Sequence, residues 1–191
     1  MEQLPEYYAT IIGDGNCGKT SLLWKYAENR FINEYSPTVV DFVKKKVDLT
    51  NGKAFNLTIW DTAGQEDYRA LRTIAYREAR LVILAFAIDS VVSMQNIEAL
   101  WWPEAKWYAT AGCPMILVGL KSDLRSTSSH GLRIVSALEG QRQAAELGNI
   151  PYVECSALTG HNVDNVFHIV VSTLLHPPKA VRRKGKRCVI M

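Results

Sequence analysis

Long hydrophobic runs are missing from this 191-residue chain. No stretch approaches the roughly 18 consecutive apolar residues of a membrane span, and Met1 to Glu6 is too polar for the start of a secretory signal. The expected location is therefore cytoplasmic. Cysteine is scarce as well: four residues, at 17, 113, 155 and 188, show no metal-ligand spacing and are too few for a disulfide framework in a chain of this size. A zinc module is excluded, and a reducing compartment fits. Internal repeats are absent too. Acidic residues are lacking after position 178, where Lys179, Arg182, Arg183, Lys184, Lys186 and Arg187 supply six positive charges. Taking those six from the net charge of +3 leaves the rest of the chain at −3. A mildly acidic body with a basic tail argues against a nucleic-acid-binding face, and for an anionic membrane opposite the tail.

What is present is the composition of a soluble globular protein, with 48% hydrophobic and 21% charged residues, enough for one continuous core. A domain over 1–176 and a flexible polybasic tail over 177–191 are expected. Apolar runs at 7–12, 81–88 and 115–119 read as strands, the last two covered on both faces. Helical spacing predicts helices over 21–28, 93–110, 136–147 and 162–175, with a short strand at 152–155. Asn51-Gly52 is a strong hairpin signal between 42–50 and the alternating stretch that ends at Trp60. Lys44, Lys45 and Lys46 suit an edge strand, where lysines discourage wrong pairing. Pro37 predicts irregular backbone over 31–41, and 126–131 reads as a polar loop. Strands alternating with helices imply an α/β fold: a mostly parallel six-stranded sheet with one antiparallel edge hairpin and helices on both faces.

Gly13-Asp14-Gly15-Asn16-Cys17-Gly18-Lys19-Thr20 completes G-x-x-x-x-G-K-[ST] between a strand and a helix, the context a phosphate-binding loop requires. Its glycines allow close backbone approach to a polyphosphate, Lys19 reaches the β- and γ-phosphates, and the Thr20 hydroxyl holds Mg²⁺. Asp61-Thr62-Ala63-Gly64-Gln65 follows a strand, so Asp61 can support the metal, Gly64 can offer an N–H to the γ-phosphate, and Gln65 can orient an attacking water. Thr38 supplies a second hydroxyl to the metal. Lys121-Ser122-Asp123 and Cys155-Ser156-Ala157-Leu158 each follow a strand. The acceptor-only Asp123 carboxylate selects guanine, the Ala157 N–H meets O6, and the Lys121 stem covers the base. Cys17, close to Lys19, has the surroundings of a redox-sensitive thiol, although a small loop residue is the simpler reading. Tryptophans at 101, 102 and 107 fit core or partner-facing packing.

Together these strings resemble the small GTPases of the Ras superfamily and, within it, the Rho family. The resemblance also rests on Tyr35-Ser36-Pro37-Thr38-Val39, Trp102-Pro103-Glu104 and Glu154-Cys155-Ser156-Ala157-Leu158, the last two favouring Rho. It implies a P-loop fold that binds GTP or GDP with Mg²⁺ and hydrolyses GTP slowly. Nucleotide contacts are then expected from Gly13, Asp14, Gly15, Asn16, Cys17, Gly18, Lys19, Thr20, Ser21, Phe31, Tyr35, Thr38, Asp61, Gly64, Lys121, Asp123, Ser156, Ala157 and Leu158. Lys19, Thr38 and Gln65 are the expected catalytic set, and Thr20 and Thr38 the expected metal ligands.

The resemblance further implies exchange factors, GTPase-activating proteins, a dissociation inhibitor and GTP-state-specific effectors of the cytoskeleton or cell polarity. A nucleotide-loaded interaction module with negligible hydrolysis is the alternative. Cys188-Val189-Ile190-Met191 reads as a prenylation signal, with Cys188 modified and the protein held on the cytoplasmic face of the cell membrane. Three departures stand out. Leu120 replaces a threonine or asparagine that would tie the base-binding and phosphate loops, Val40-Asp41-Phe42-Val43 replaces the usual effector-facing string, and the helical insertion after Arg125 is shortened.

Overall fold

The computed structural model describes residues 4–31, 40–62, 69–127 and 133–177. In chain order its elements are β1 (Glu6–Ile12), α1 (Lys19–Glu28), β2 (Val40–Asp48), β3 (Ala54–Thr62), α2 (Arg69–Glu78), β4 (Val82–Ala87) and α3 (Val91–Asn96). A π-helical turn (Ile97–Trp101) follows, then α4 (Trp102–Tyr108), β5 (Met115–Leu120), α5 (Leu124–Thr127), α6 (Ala137–Glu146), β6 (Tyr152–Glu154) and α7 (Val163–Leu175).

Period-two alternation sorts the strand residues onto two faces. Ala9, Ile11, Leu57, Ile59, Ile83, Ala85, Ile116 and Val118 pack with Leu22 and Leu23 of α1 and with Val166, Phe167 and Val170 of α7. Ile12, Val82, Leu84, Phe86 and Leu117 pack instead with Tyr76 of α2, Ile97, Trp101, Ala105 and Ala144. The sheet is thus covered on both sides, which is why β4 and β5 are apolar at every position.

The six strands lie in the order β2-β3-β1-β4-β5-β6. Only the β2–β3 pair is antiparallel; the remaining pairs are parallel. β2 is at the edge as its lysines predict, with Lys45 donating to the Tyr26 carbonyl and Lys44 paired to Glu6. From β1 the chain crosses to β3 on one side, and β4 joins on the other. The carboxyl end of β1 is therefore the point where the strand order switches direction, the place where open α/β sheets bind ligands.

Three local expectations are corrected and one helix is added. Val40 and Asp41 are in β2, because β3 is long enough to pair with them at Thr62 and Asp61. Helix α2 is not among the predicted helices; part of its buried face is the charged Arg72. Ser126 and Thr127 close α5 rather than open a loop; 128–131 lies outside the described residues. The 93–110 helix is helical over 91–108 but contains the π turn, in which the Trp102 N–H donates five residues back to the Ile97 carbonyl. Pro103 lacks an N–H and its ring crowds the preceding turn, so the wide turn lets the helix continue through it.

Candidate nucleotide-binding site

The loop after β1 is shaped by backbone constraints. Gly13 has φ 148°, and a Cβ there would stand 2.0 Å from the Ala85 carbonyl oxygen of β4. No other residue fits. Gly15, by contrast, is exposed with nothing within 4 Å of a Cβ position. Asn16 is exposed and adopts a left-handed φ of 59°. Lys19 is buried and folds its ammonium onto the Gly13 and Asp14 carbonyls, 2.8 Å each, bracing the loop. Ser21 continues α1 behind it, half-buried.

Thr20 Oγ1 donates to Asp61 Oδ2 at 2.6 Å, so the ends of α1 and β3 meet beside the loop. A hydroxyl and a carboxylate there are hard oxygen donors that suit Mg²⁺, which favours one or two protein oxygens with phosphates and water over an all-protein cage. Among the described residues, no cluster of three or more His, Cys, Asp or Glu forms a metal site by itself. Cys17 is buried with its thiol toward the Ala85 carbonyl, and burial pushes its pKa up despite Lys19, so the thiolate reading loses its basis.

Asp14 accepts two side-chain hydrogen bonds from the α3–α4 segment: Asn96 Nδ2 to Oδ2 at 2.8 Å, and Trp101 Nε1 to Oδ1 at 2.7 Å. The other side of the Trp101 indole faces the Arg72 guanidinium of α2, 5.1 Å from the ring centroid. Arg72, itself buried, makes a two-pronged pair with buried Glu104 at 2.9 and 3.2 Å, and the Tyr76 hydroxyl donates to the same carboxylate. Burial and the Glu104 charge push the Tyr76 phenol pKa up, so the proton remains in place. Of the tryptophans read as packing residues, Trp101 is buried, Trp102 carries Lys106 over its ring and Trp107 is largely exposed.

The base-reading half sits after β5 and β6. Ser156, fully buried, donates to Asp123 Oδ1 at 2.5 Å and so fixes the carboxylate. The Ser122 N–H to the Cys155 carbonyl ties the two loops, while Ser156 itself is held by His161, Thr159 and Gly160 through short-range bonds. Lys121 has a left-handed φ of 63° and pairs with Asp89 at 3.3 Å. Ala157 is nearly buried and Leu158 about half exposed. Leu120 is buried, and its Cδ1 would stand 3.8 Å from a Cβ added at Gly18, so an apolar side chain borders the phosphate loop in place of a polar tie. Phe31 is half-buried at the end of the first described segment. Tyr35, Thr38, Gly64, Gln65 and Cys188 lie outside the described residues.

Asn96, Trp101 and Asp89 were not singled out from the sequence as site residues. Asn96 and Trp101 sit in a helix whose hydropathy pattern speaks only of packing, and no short motif links them to Asp14.

A glycine-rich loop at the switch point of a mostly parallel sheet, its lysine and threonine opening the following helix, defines a P-loop nucleotide-binding protein. The Ras family model matches residues 9–176, and the chain belongs to that family. It is thus a small GTPase with the Ras-like fold; members of the family bind guanine nucleotides with Mg²⁺ and work with exchange factors, activating proteins and effectors.

Proposed function

We propose that this chain is a Rho-like switch that binds GTP in a Mg²⁺-dependent manner, hydrolyses it slowly and signals from membranes. The observation carrying the switch reading is the pairing of Thr20 with Asp61, which unites phosphate loop and the end of β3 at one oxygen-donor site. Thr20 and the Thr38 hydroxyl would hold Mg²⁺, with Asp61 supporting it. The metal supplies charge neutralisation for a phosphoryl group in transfer. Lys19 contributes positive charge beside the same phosphates, Gln65 orients the attacking water, and the Asp123 carboxylate held by Ser156 accepts the paired N–H donors of guanine. No arginine stands at a matching position, so an activating protein provides it. The Rho assignment is supported by the role of Glu104 from the Trp102-Pro103-Glu104 string, which anchors α2 through Arg72.

The domain ends near 176, and the basic tail with Cys188 prenylated holds the protein at the cytoplasmic face. A single lipid is a marginal anchor, and neighbouring positive charges add about 1 kcal/mol each near an anionic leaflet. Single-turnover GTP hydrolysis tests the core of the reading. Purified protein should turn over GTP but not ATP, stop when Mg²⁺ is chelated, and accelerate with a Rho-class but not a Ras-class activating domain. Equal use of ATP would overturn guanine selection, and stimulation only by the Ras-class domain would overturn the Rho assignment. For the tail, mass spectrometry of membrane-bound protein should find a prenyl thioether on Cys188; an unmodified terminus there would remove the anchor.

A further inference from the structure

An acidic residue inside a loop built to receive anions is a liability. Aspartate readily bonds the backbone N–H groups one or two residues further along. From position 14 those are the groups of Gly15 and Asn16, which the loop should present to phosphates. In this structure neither carboxylate oxygen turns that way, because Asn96 holds Oδ2 and the Trp101 indole holds Oδ1.

The backbone of the helix makes this grip possible. In an α-helix, residues five apart point in directions about 140° apart and would not converge on one small group. Asn96 caps the π turn and Trp101 closes it, and the turn's extra residue brings the two side chains back toward a common face. Trp101 is buried and its far face is backed by Arg72, itself locked to Glu104, so the donor is rigid.

We infer that Asn96 and Trp101 are positioning residues for the nucleotide: acting through Asp14, they keep its carboxylate off the phosphate loop's own N–H groups. The inference rests on the guanine-nucleotide reading of the site. Without the grip, the Asp14 carboxylate both competes for those donors and repels the phosphates, so bound nucleotide leaves faster.

The test is the dissociation rate of N-methylanthraniloyl-GDP from the full chain at fixed Mg²⁺. Asn96→Leu and Trp101→Phe should each speed release about tenfold, as expected for a lost hydrogen bond to a charged acceptor. The deciding measurement repeats both substitutions in the Asp14→Ala background, whatever rate that background has. There each should change release by less than about twofold, since the group they act through is gone. Wild-type rates in the single variants would overturn the proposal. So would an acceleration that persists undiminished in the Asp14→Ala background, because the residues would then act by packing. If Trp101→Phe does not fold, half-buried Asn96→Leu carries the comparison alone. Failure of the wild-type chain to retain the nucleotide would overturn the underlying reading and this proposal with it. That outcome is distinct from a chain that binds GDP normally but is indifferent to Asn96.

Discussion

The two ends of the nucleotide site are built on different principles. At the phosphate end the backbone itself is the recognition element, pressed against β4 at Gly13 and held by Asn96 and by buried Trp101, which Arg72 and Glu104 back. At the base end selection depends on the Asp123 carboxylate, oriented by Ser156 across two short loops that otherwise bond largely within themselves. The phosphate end therefore draws on long-range tertiary contacts and should fail globally when disturbed. The base end should fail locally, losing affinity while the fold survives.

The largest effect should come from Gly13→Ala, because the new Cβ would overlap a β4 carbonyl that cannot move without breaking the sheet. A loss of about 4 kcal/mol or more is expected by urea unfolding, against less than about 0.5 kcal/mol for Gly15→Ala, which meets open space. Comparable losses for both would mean that the loop is held by something other than that close approach. Glu104→Leu, which removes the carboxylate paired with the buried Arg72 charge, should cost about 3–5 kcal/mol and loosen α2. Adding Arg72→Met should restore much of it; if the double variant is no better than the single, charge burial is not the cause.

At the base end, Ser156→Ala should leave the melting transition of the nucleotide-free protein nearly in place but weaken GDP binding. The lost bond to a charged carboxylate is worth about 1.5–3 kcal/mol, or roughly ten- to a hundredfold in affinity. Calorimetric titration reads this directly, and unchanged affinity would show that Asp123 is fixed by other contacts. Leu120 lies between the two ends. Leu120→Thr puts a hydroxyl beside the phosphate loop near Gly18 and should slow nucleotide release by about two- to tenfold, the worth of one hydrogen bond. Faster release would instead make the packing of Leu120 the dominant tie.

The smallest effect concerns pH. Burial alone would raise the Glu154 pKa above its ordinary 4.5, but hydrogen bonds from Arg125 and Tyr152 prevail and hold it lower. A carboxyl with a depressed folded pKa contributes stability that is fully present above pH 4.5 and is lost as pH falls through the folded value. Arg125→Met should lower stability by a small, constant amount above pH 4.5, and the difference from the parent should shrink as pH falls through the folded Glu154 pKa. Superimposable acid titrations of the two proteins would remove the pair from the account.

Much of this molecule is legible in one dimension. The glycine and lysine spacing at 13–20 names a phosphate loop, because its chemistry depends on backbone freedom and a few fixed offsets. Alternation and continuous apolar runs define most strands, since a covered sheet admits little else. The base-reading aspartate and serine are likewise visible at strand ends, though only the fold brings Ser156 within 2.5 Å of Asp123.

What the sequence could not express is anything that depends on charge burial or on helical phase. The mutual burial of Arg72 and Glu104 is not written in the sequence, because a charge can be buried only when a partner from a distant segment arrives to meet it. The π turn at 97–101 shifts the helical phase, which no average periodicity registers, and that shift brings Asn96 and Trp101 to the Asp14 carboxylate. The sequence by itself determined the phosphate loop and the sheet, for both follow from local backbone and solvent preferences. Only the tertiary structure decided how the loop's own carboxylate is restrained, because that needs donors more than eighty positions away to converge on a single group.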